Sequence, residues 1–276
     1  MFSKLLKYEW KASAGLLSVL SLAVLGVGLL MTVLLRVITI WEDQIPAELW
    51  GPIWVLIGGS ILAIIAYVIG SQLILLIRFY KNKFTDEGYL TFTLPVTSHQ
   101  ILLSSLVNLL IWSVITTLVA VGTILLAVTI GTGKDEIFNQ SVWNILGSLF
   151  VDIWSVEELE GYSVLNLINT VVSAVSGVVI MVTSITLGAV VAKKHKVLAA
   201  FGFYYAINMV ISIVSSMASI FFLITGVSSL LNEYEGEKLL SVMNGAVILQ
   251  IALHLAVLVA GYFVSNWLIK KKLNLP

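Results

Sequence analysis

The chain has 276 residues, of which 59% are hydrophobic and 11% charged, with a mean hydropathy of +1.04 and a formal net charge of zero. A water-soluble domain of this length cannot hide so much apolar surface, so the composition excludes a soluble protein and indicates one whose solvent is lipid. The sequence contains no cysteine, which excludes disulfides and thiolate metal sites.

Six long apolar stretches, separated by polar joints, follow one another along the chain. They cover residues 14–40, 52–77, 101–131, 163–192, 197–231 and 245–269. Each is longer than the roughly 20 helical residues that cross a hydrocarbon core about 30 Å thick. Because backbone amides need internal partners in lipid, and because the runs are continuous instead of alternating, helices are favoured over a barrel. The predicted fold class is all-α: a polytopic membrane protein with six transmembrane helices in one domain, residues 1–276.

The ionisable residues separate by side of the membrane. If the N-terminus is cytoplasmic, 12 of the 15 basic residues fall on the cytoplasmic side and 12 of the 15 acidic residues on the other. The basic residues of the cytoplasmic side are Lys4, Lys7, Lys11, Arg78, Lys81, Lys83, Lys193, Lys194, Lys196, Lys270, Lys271 and Lys272. This distribution satisfies the positive-inside rule at four successive segments and predicts that both termini are cytoplasmic.

The first 13 residues, MFSKLLKYEWKAS, have amphipathic character. Apolar and aromatic side chains fall near one helical face, and Lys4, Lys7 and Lys11 fall on another. This pattern predicts an elbow helix over residues 1–13 that lies in the cytoplasmic interface before the chain turns into the bilayer. A positively charged flank that only orients the first span explains the same residues.

The joint between the second and third spans, residues 78–100, is far longer than the next cytoplasmic joint, residues 193–196. Its pattern predicts a helix over residues 84–92 and then a corner at Pro95, which biases Leu94 away from the helical region. Thr97 or Ser98 can cap the helix that becomes the third span. Exposed aromatic residues on such an element predict a protein partner, although a solvated hairpin is the alternative.

Within this joint the chain resembles a known family. The sequences Gly88-Tyr89-Leu90-Thr91 and Leu94-Pro95-Val96-Thr97, with the run QILLS at residues 100–104, resemble the loop of permease subunits in type-2 ABC exporters. The likeness is to the six-span permeases common in Gram-positive gut bacteria, and the six spans and basic N-terminus are similar too. His99 and Ser105 stand where many relatives carry basic residues.

The resemblance implies that residues 78–100 form a cytoplasmic coupling loop whose helix docks on a separate ATP-hydrolysing subunit. On this likeness the docking residues are Asp86, Glu87, Gly88, Tyr89, Leu90 and Thr91. The chain is then a permease subunit of an ATP-driven exporter in the bacterial plasma membrane, paired with an identical or related permease. It is not itself an enzyme and holds no cofactor, since ATP and Mg²⁺ bind to the partner subunits.

Two absences in the sequence agree with this function. No GxxxxGK[ST] phosphate loop occurs, so the chain does not bind ATP by that mechanism. No acidic residue lies near the middle of any span, which counts against transport coupled to protons or sodium ions.

Uncharged polar residues within the spans are candidates for lining a pathway. They are Asn108, Thr116, Asn166, Asn169, Asn208 and Gln250. An uncharged pathway would suit amphipathic or hydrophobic cargo such as peptides, lipids or drug-like molecules. Hydrogen bonds between helices explain the same residues. His254, near Gln250, fits either a proton relay or, more commonly, a bond to a neighbouring helix.

The longest joint on the other side, residues 132–162, carries apolar residues at helical spacing between Val142 and Val156. It predicts an amphipathic helix that lies on the outer leaflet or acts as a lid. For the whole chain, the alternative function is a non-transporting membrane immunity, sensor or scaffold protein whose long joint binds a regulatory partner.

Overall fold

The computed structural model describes residues 2–93, 95–131, 157–192, 194–232 and 236–271. Within these ranges the regular structure is entirely helical. The helices are α1 (Phe2–Trp41), α2 (Ala47–Phe84), α3 (Asp86–Phe92), α4 (Ser98–Gly131), α5 (Glu157–Val191), α6 (Lys196–Asn232) and α7 (Gly236–Lys271), with a short 3₁₀ helix at Glu42–Gln44.

Six of the seven α-helices, all except α3, are long and apolar enough to cross a membrane. Five of them contain a predicted apolar stretch whole, and α5 ends one residue before the end of its stretch, so the prediction of an all-helical chain with six candidate spans is confirmed for the described residues. Large apolar side chains are exposed along them, for example Leu198 and Phe221 of α6. In water such exposure would be costly, whereas lipid is a favourable solvent for it.

The first helix differs from the sequence prediction at its start. α1 runs from Phe2 to Trp41 without a break, where the sequence predicts a separate elbow helix over residues 1–13. No proline or glycine precedes Gly15, so nothing in this segment favours ending the helix. Its amphipathic character is present: Lys4, Lys7 and Lys11 are exposed, whereas Leu5, Leu6 and Trp10 are partly buried.

The chain divides into two compact units, and the first comprises Met1–Ile77 and Val107–Leu149. Its core lies between α1, α2 and α4, where Val24, Ile64, Tyr67 and Ala120 pack together. The hydroxyls of Ser21 and Tyr67 share a hydrogen bond of 2.7 Å across the same contact. A second apolar cluster, made by Met31, Ile57 and Ala127, extends this packing along the helices.

The second unit comprises Arg78–Leu106 and Phe150–Pro276. It contains the end of α2, all of α3, the start of α4, and α5 to α7. α5 contacts both α6 and α7 and is the most buried of the candidate spans, whereas α6 exposes most of its length. The two units consequently share α2 and α4, and a single functional domain over residues 1–276 stays a prediction.

The contact between α5 and α6 depends on a glycine. A Cβ atom at Gly188 would lie 2.5 Å from the backbone nitrogen of Ala200 and 2.7 Å from its Cα. Real Cβ atoms do not approach backbone so closely, because van der Waals repulsion rises steeply at this range. Gly188 therefore permits the backbones of α5 and α6 to approach one another.

The predicted amphipathic helix within residues 132–162 falls mostly at 132–156, outside the described residues. The rest of that segment, residues 157–162, forms the first turns of α5. The orientation of the termini, which the charge distribution predicts, stays a prediction.

Candidate functional site

The α2–α4 joint, residues 78–100, makes local contacts that its sequence alone does not indicate. α2 continues seven residues beyond the predicted span, to Phe84, so α3 begins at Asp86 instead of at the predicted residue 84. The side chains of Phe79 and Phe84 are buried, and their rings meet edge to face at 6.0 Å. Tyr80 stacks on Phe84 at the same distance. These aromatic contacts extend α2 past its apolar stretch.

α3 is bonded back onto the end of α2. The Thr91 hydroxyl donates to the carbonyl oxygen of Asn82 at 3.1 Å and contacts that of Glu87 at 3.2 Å. The backbone N–H of Gly88 donates to the carbonyl of Thr85 at 2.7 Å. Because the Thr91 hydroxyl connects residues nine apart in sequence, α3 cannot swing away from α2 without losing a hydrogen bond.

The corner that leads into α4 has the predicted cap. The Oγ1 atom of Thr97 accepts a hydrogen bond from the backbone N–H of Gln100 at 3.3 Å. The carbonyl of Thr97 also accepts from the N–H groups of Gln100 and Ile101, at 2.9 and 3.2 Å. Thr97 is therefore the N-cap of α4, one of the two residues, Thr97 and Ser98, that the sequence offers as caps. Only residues 93–97 separate α3 from α4.

The predicted docking residues have different surroundings. Glu87 is exposed, Gly88 is buried, and Thr91 is partly buried with its hydroxyl bonded inside the joint. The side chains of Asp86, Tyr89 and Leu90 lie outside the described residues. Gly88 and Thr91 therefore hold the joint together, and the docking role of the whole set stays a prediction.

The first two residues of α4 contact α7. Ser98 Oγ donates to Oδ1 of Asn266 at 3.5 Å, the long limit of such a bond. The hydroxyl of Tyr262 is hydrogen-bonded to Nδ1 of His99, and the two rings meet edge to face at 5.6 Å. Tyr262 and Asn266 are four residues apart, so both lie on one face of α7.

A row of polar contacts, here called the α5–α7 polar seam, joins α5 to α7. Asn169 Nδ2 donates to Oε1 of Gln250 at 3.2 Å, and the Ser176 hydroxyl lies 2.9 Å from Nδ1 of His254. Further along the helices, Thr183 Oγ1 lies 3.1 Å from the carbonyl oxygen of Gly261 and accepts from the Ser265 hydroxyl at 3.0 Å. The three α5 residues recur every seven positions, the spacing that keeps one helix face against a neighbour.

The first unit has its own polar contacts. Asn108 Nδ2 donates to the Ser13 hydroxyl at 3.1 Å, and one turn further along α4 Trp112 stacks on Trp10 with ring centroids 4.8 Å apart. The Ser113 hydroxyl donates to Oε1 of Gln72 at 3.1 Å. These two hydrogen bonds and the ring stack connect α4 to both α1 and α2.

Among the candidate pathway residues, Asn169 and Gln250 are bonded to each other. The amides of Asn166 and Asn208 each donate to a carbonyl four residues earlier on their own helix, those of Tyr162 and Tyr204, at 2.8 Å. Thr116 is fully buried, and its hydroxyl donates to the carbonyl of Ser113. Asn108 bonds Ser13, as above. Each of these side chains therefore makes at least one hydrogen bond within or between helices, while the Oδ1 atoms of Asn108 and Asn169 are buried without a partner in the described part of the chain. A role in lining a pathway stays a prediction.

Several residues of these contacts escape notice in the sequence. The sequence singles out His99 only through the family resemblance and does not indicate its partner Tyr262, which is 163 positions away in the chain. The alternative in which His254 bonds a neighbouring helix is confirmed by its contact with Ser176. One usable signal exists, because Asn169, Ser176 and Thr183 recur at a constant spacing of seven residues along α5.

Comparisons with known proteins returned no match: no protein-family model, no curated protein and no solved structure is similar to this chain.

Proposed function

We propose that the chain is the membrane-spanning permease subunit of an ATP-driven exporter of the ABC type. In this proposal both termini and the α2–α4 joint are cytoplasmic, in a bacterial plasma membrane. A second permease, identical or related, completes the membrane part. Two separate ATPase subunits, which bind ATP and Mg²⁺, supply the energy.

The observation that carries this proposal is the construction of the α2–α4 joint. A short helix, α3, is bonded back to α2 through Thr91, and the capped start of α4 follows within five residues. A simple reversal between two membrane helices needs only a few residues and no such support. An ordered element that presents the exposed Glu87 is suited to contact another protein, and its sequence resembles the coupling loop of the permease family.

The joint can convert partner movement into helix movement. When the ATPase subunits close around ATP, they would displace the docked α3. The Thr91 bond and the short 93–97 connection would carry that displacement into α2 and α4. Two positions of the joint that favour different packings of the helices are sufficient for alternating access. Cargo that is amphipathic or hydrophobic, such as peptides, lipids or drug-like molecules, would suit spans without charged residues near their midpoints.

The direct experiment is purification of the tagged, full-length chain from its native membranes in a mild detergent. We expect an ATP-binding subunit to co-purify and the complex to hydrolyse ATP. Glu87→Lys should reduce the amount of co-purified ATPase, because it reverses the charge of an exposed residue of the joint. Glu48→Lys, which reverses an exposed charge at the opposite end of α2, is the matched control and should leave the amount of co-purified ATPase unchanged.

A second pair of variants separates assembly from energy transfer. Tyr89→Ala should lower transport per ATP hydrolysed while the complex still assembles, whereas Tyr205→Ala, on the exposed surface of α6, should have no such effect. If the active chain purifies without any ATPase, or only with a regulatory protein, the proposal fails. That result would favour the non-transporting immunity, sensor or scaffold function.

A further inference from the structure

The segment 261–266 of α7, here called the relay segment, has bonding partners on two sides. On one face, Tyr262 and Asn266 bond to His99 and Ser98, the first residues of α4. On the adjacent face, the Ser265 hydroxyl donates to the Thr183 hydroxyl of α5 at 3.0 Å. The Gly261 carbonyl oxygen lies 3.1 Å from the same hydroxyl, which donates over the shorter distance of 2.7 Å to the carbonyl of Val179 on its own helix. The pair Gly261 and Ser265 is offset by one residue from the pair Tyr262 and Asn266. The same one and a half turns of α7 therefore contact both α4 and α5.

The α4 side of the relay segment is next to the α2–α4 joint. His99 lies two residues after Thr97, the N-cap of α4, and α3 ends five residues before that cap. A displacement of α3 therefore reaches the start of α4 before any other part of that helix. At the start of α4, the edge-to-face pair of His99 and Tyr262 connects α4 to α7.

The α5 side of the relay segment is tightly packed. Ser265 is 1% exposed and Thr183 is 4% exposed, so both hydroxyls are removed from solvent. A Cβ atom at Gly261 would lie 2.9 Å from Thr183 Oγ1 and 3.1 Å from Val179 Cγ1. With so little free space, movement of the relay segment cannot be absorbed locally and must shift α5, because packed interiors transmit strain.

We propose that the relay segment transmits movement of the α2–α4 joint to α5, with His99, Tyr262 and Thr183 as its positioning residues. This inference rests on the proposed function and extends it by identifying which helices respond first. The α5–α7 polar seam then keeps α5 and α7 in register as they move, through Ser176 with His254 and Asn169 with Gln250.

The first experiment tests transmission in the purified chain and needs no ATPase. His99 and Thr183 share no hydrogen bond in the structure, yet both bond the relay segment. We expect His99→Ala and Thr183→Val to be non-additive, with the double variant melting about 2 °C or more above the temperature that additive shifts would give. Thr170→Val, which removes an exposed hydroxyl elsewhere on α5, is the control and should add to His99→Ala.

The second experiment uses the complete complex. Tyr262→Phe keeps the ring but removes the hydroxyl that bonds His99, and we expect it to lower transport per ATP hydrolysed by about fivefold or more. Tyr204→Phe on α6 is the matched control and should leave this ratio unchanged.

The two experiments distinguish the inference from the proposed function. Additive melting shifts for His99→Ala and Thr183→Val, or unchanged transport in Tyr262→Phe, would overturn the relay. If the wild-type complex shows no ATP-driven transport at all, the proposed function fails, and the melting experiment still decides whether α7 couples α4 to α5.

Discussion

Ser13 makes a buried polar contact between α1 and α4. It is buried, and its hydroxyl accepts the Nδ2 bond of Asn108, whose Oδ1 atom is buried without a hydrogen-bond partner in the described part of the chain. An amide that is already partly unsatisfied cannot lose its remaining partner cheaply. The cost of a buried, unbonded polar group is about 1–3 kcal/mol.

Ser13→Ala should therefore lower the free energy of unfolding by about 1–3 kcal/mol. Ser18→Ala is the matched control on the same helix, because the Ser18 hydroxyl is exposed and bonds the carbonyl of Gly15 one turn away, and we expect a change within about 0.5 kcal/mol. Thermal unfolding of both variants in detergent, followed by size-exclusion chromatography, measures the difference. Equal losses would show that the Ser13–Asn108 bond is not important.

At the scale of elements, the contact between α5 and α6 requires that Gly188 have no side chain. Gly188→Ala places a Cβ atom against the backbone of Ala200, which cannot move without moving α6. We expect a loss of about 1–3 kcal/mol from overpacking. Gly177→Ala, on the same helix, is the control: no neighbouring atom lies within 4 Å of its Cβ position, so higher helix propensity should make it neutral or stabilising. Melting temperatures of the two variants test this, and a loss shared equally by both would contradict it.

The helices and their caps also show which features of the fold can be predicted from the sequence. Long apolar runs predict the six long helices because lipid leaves the backbone no other satisfactory structure. The helix ends are less predictable, because aromatic contacts such as Phe79 with Phe84 extend α2 past its apolar run. Thr97 was predictable as a cap because its side chain acts on its own neighbourhood. The partners of His99 and Ser13 were not, since each lies more than 90 positions away and depends on how the helices pack.

For the whole molecule, the predicted orientation follows from the distribution of lysine and arginine. Glu48 and Lys81 are exposed near opposite ends of α2, and the sequence has no cysteine to interfere with labelling. In intact cells a membrane-impermeant maleimide should label Glu48→Cys but not Lys81→Cys, because the positive-inside rule places Lys81 in the cytoplasm. After the membrane is permeabilised, the maleimide should label both positions. Labelling of Lys81→Cys alone in intact cells would invert the topology and place the α2–α4 joint beyond the reach of a cytoplasmic ATPase.

The measurement that tests the central claim most directly is cross-linking from the α2–α4 joint itself. Glu87→Cys, in the otherwise cysteine-free chain, is coupled in native membranes to a short reagent with one thiol-reactive end and one photoreactive end, then irradiated, and the product is identified by mass spectrometry; Glu48→Cys is the control. The account predicts that position 87 is joined to an ATP-hydrolysing subunit and that position 48 is not. If the Glu87→Cys chain supports transport in cells while position 87 is cross-linked to no such subunit, the account is contradicted.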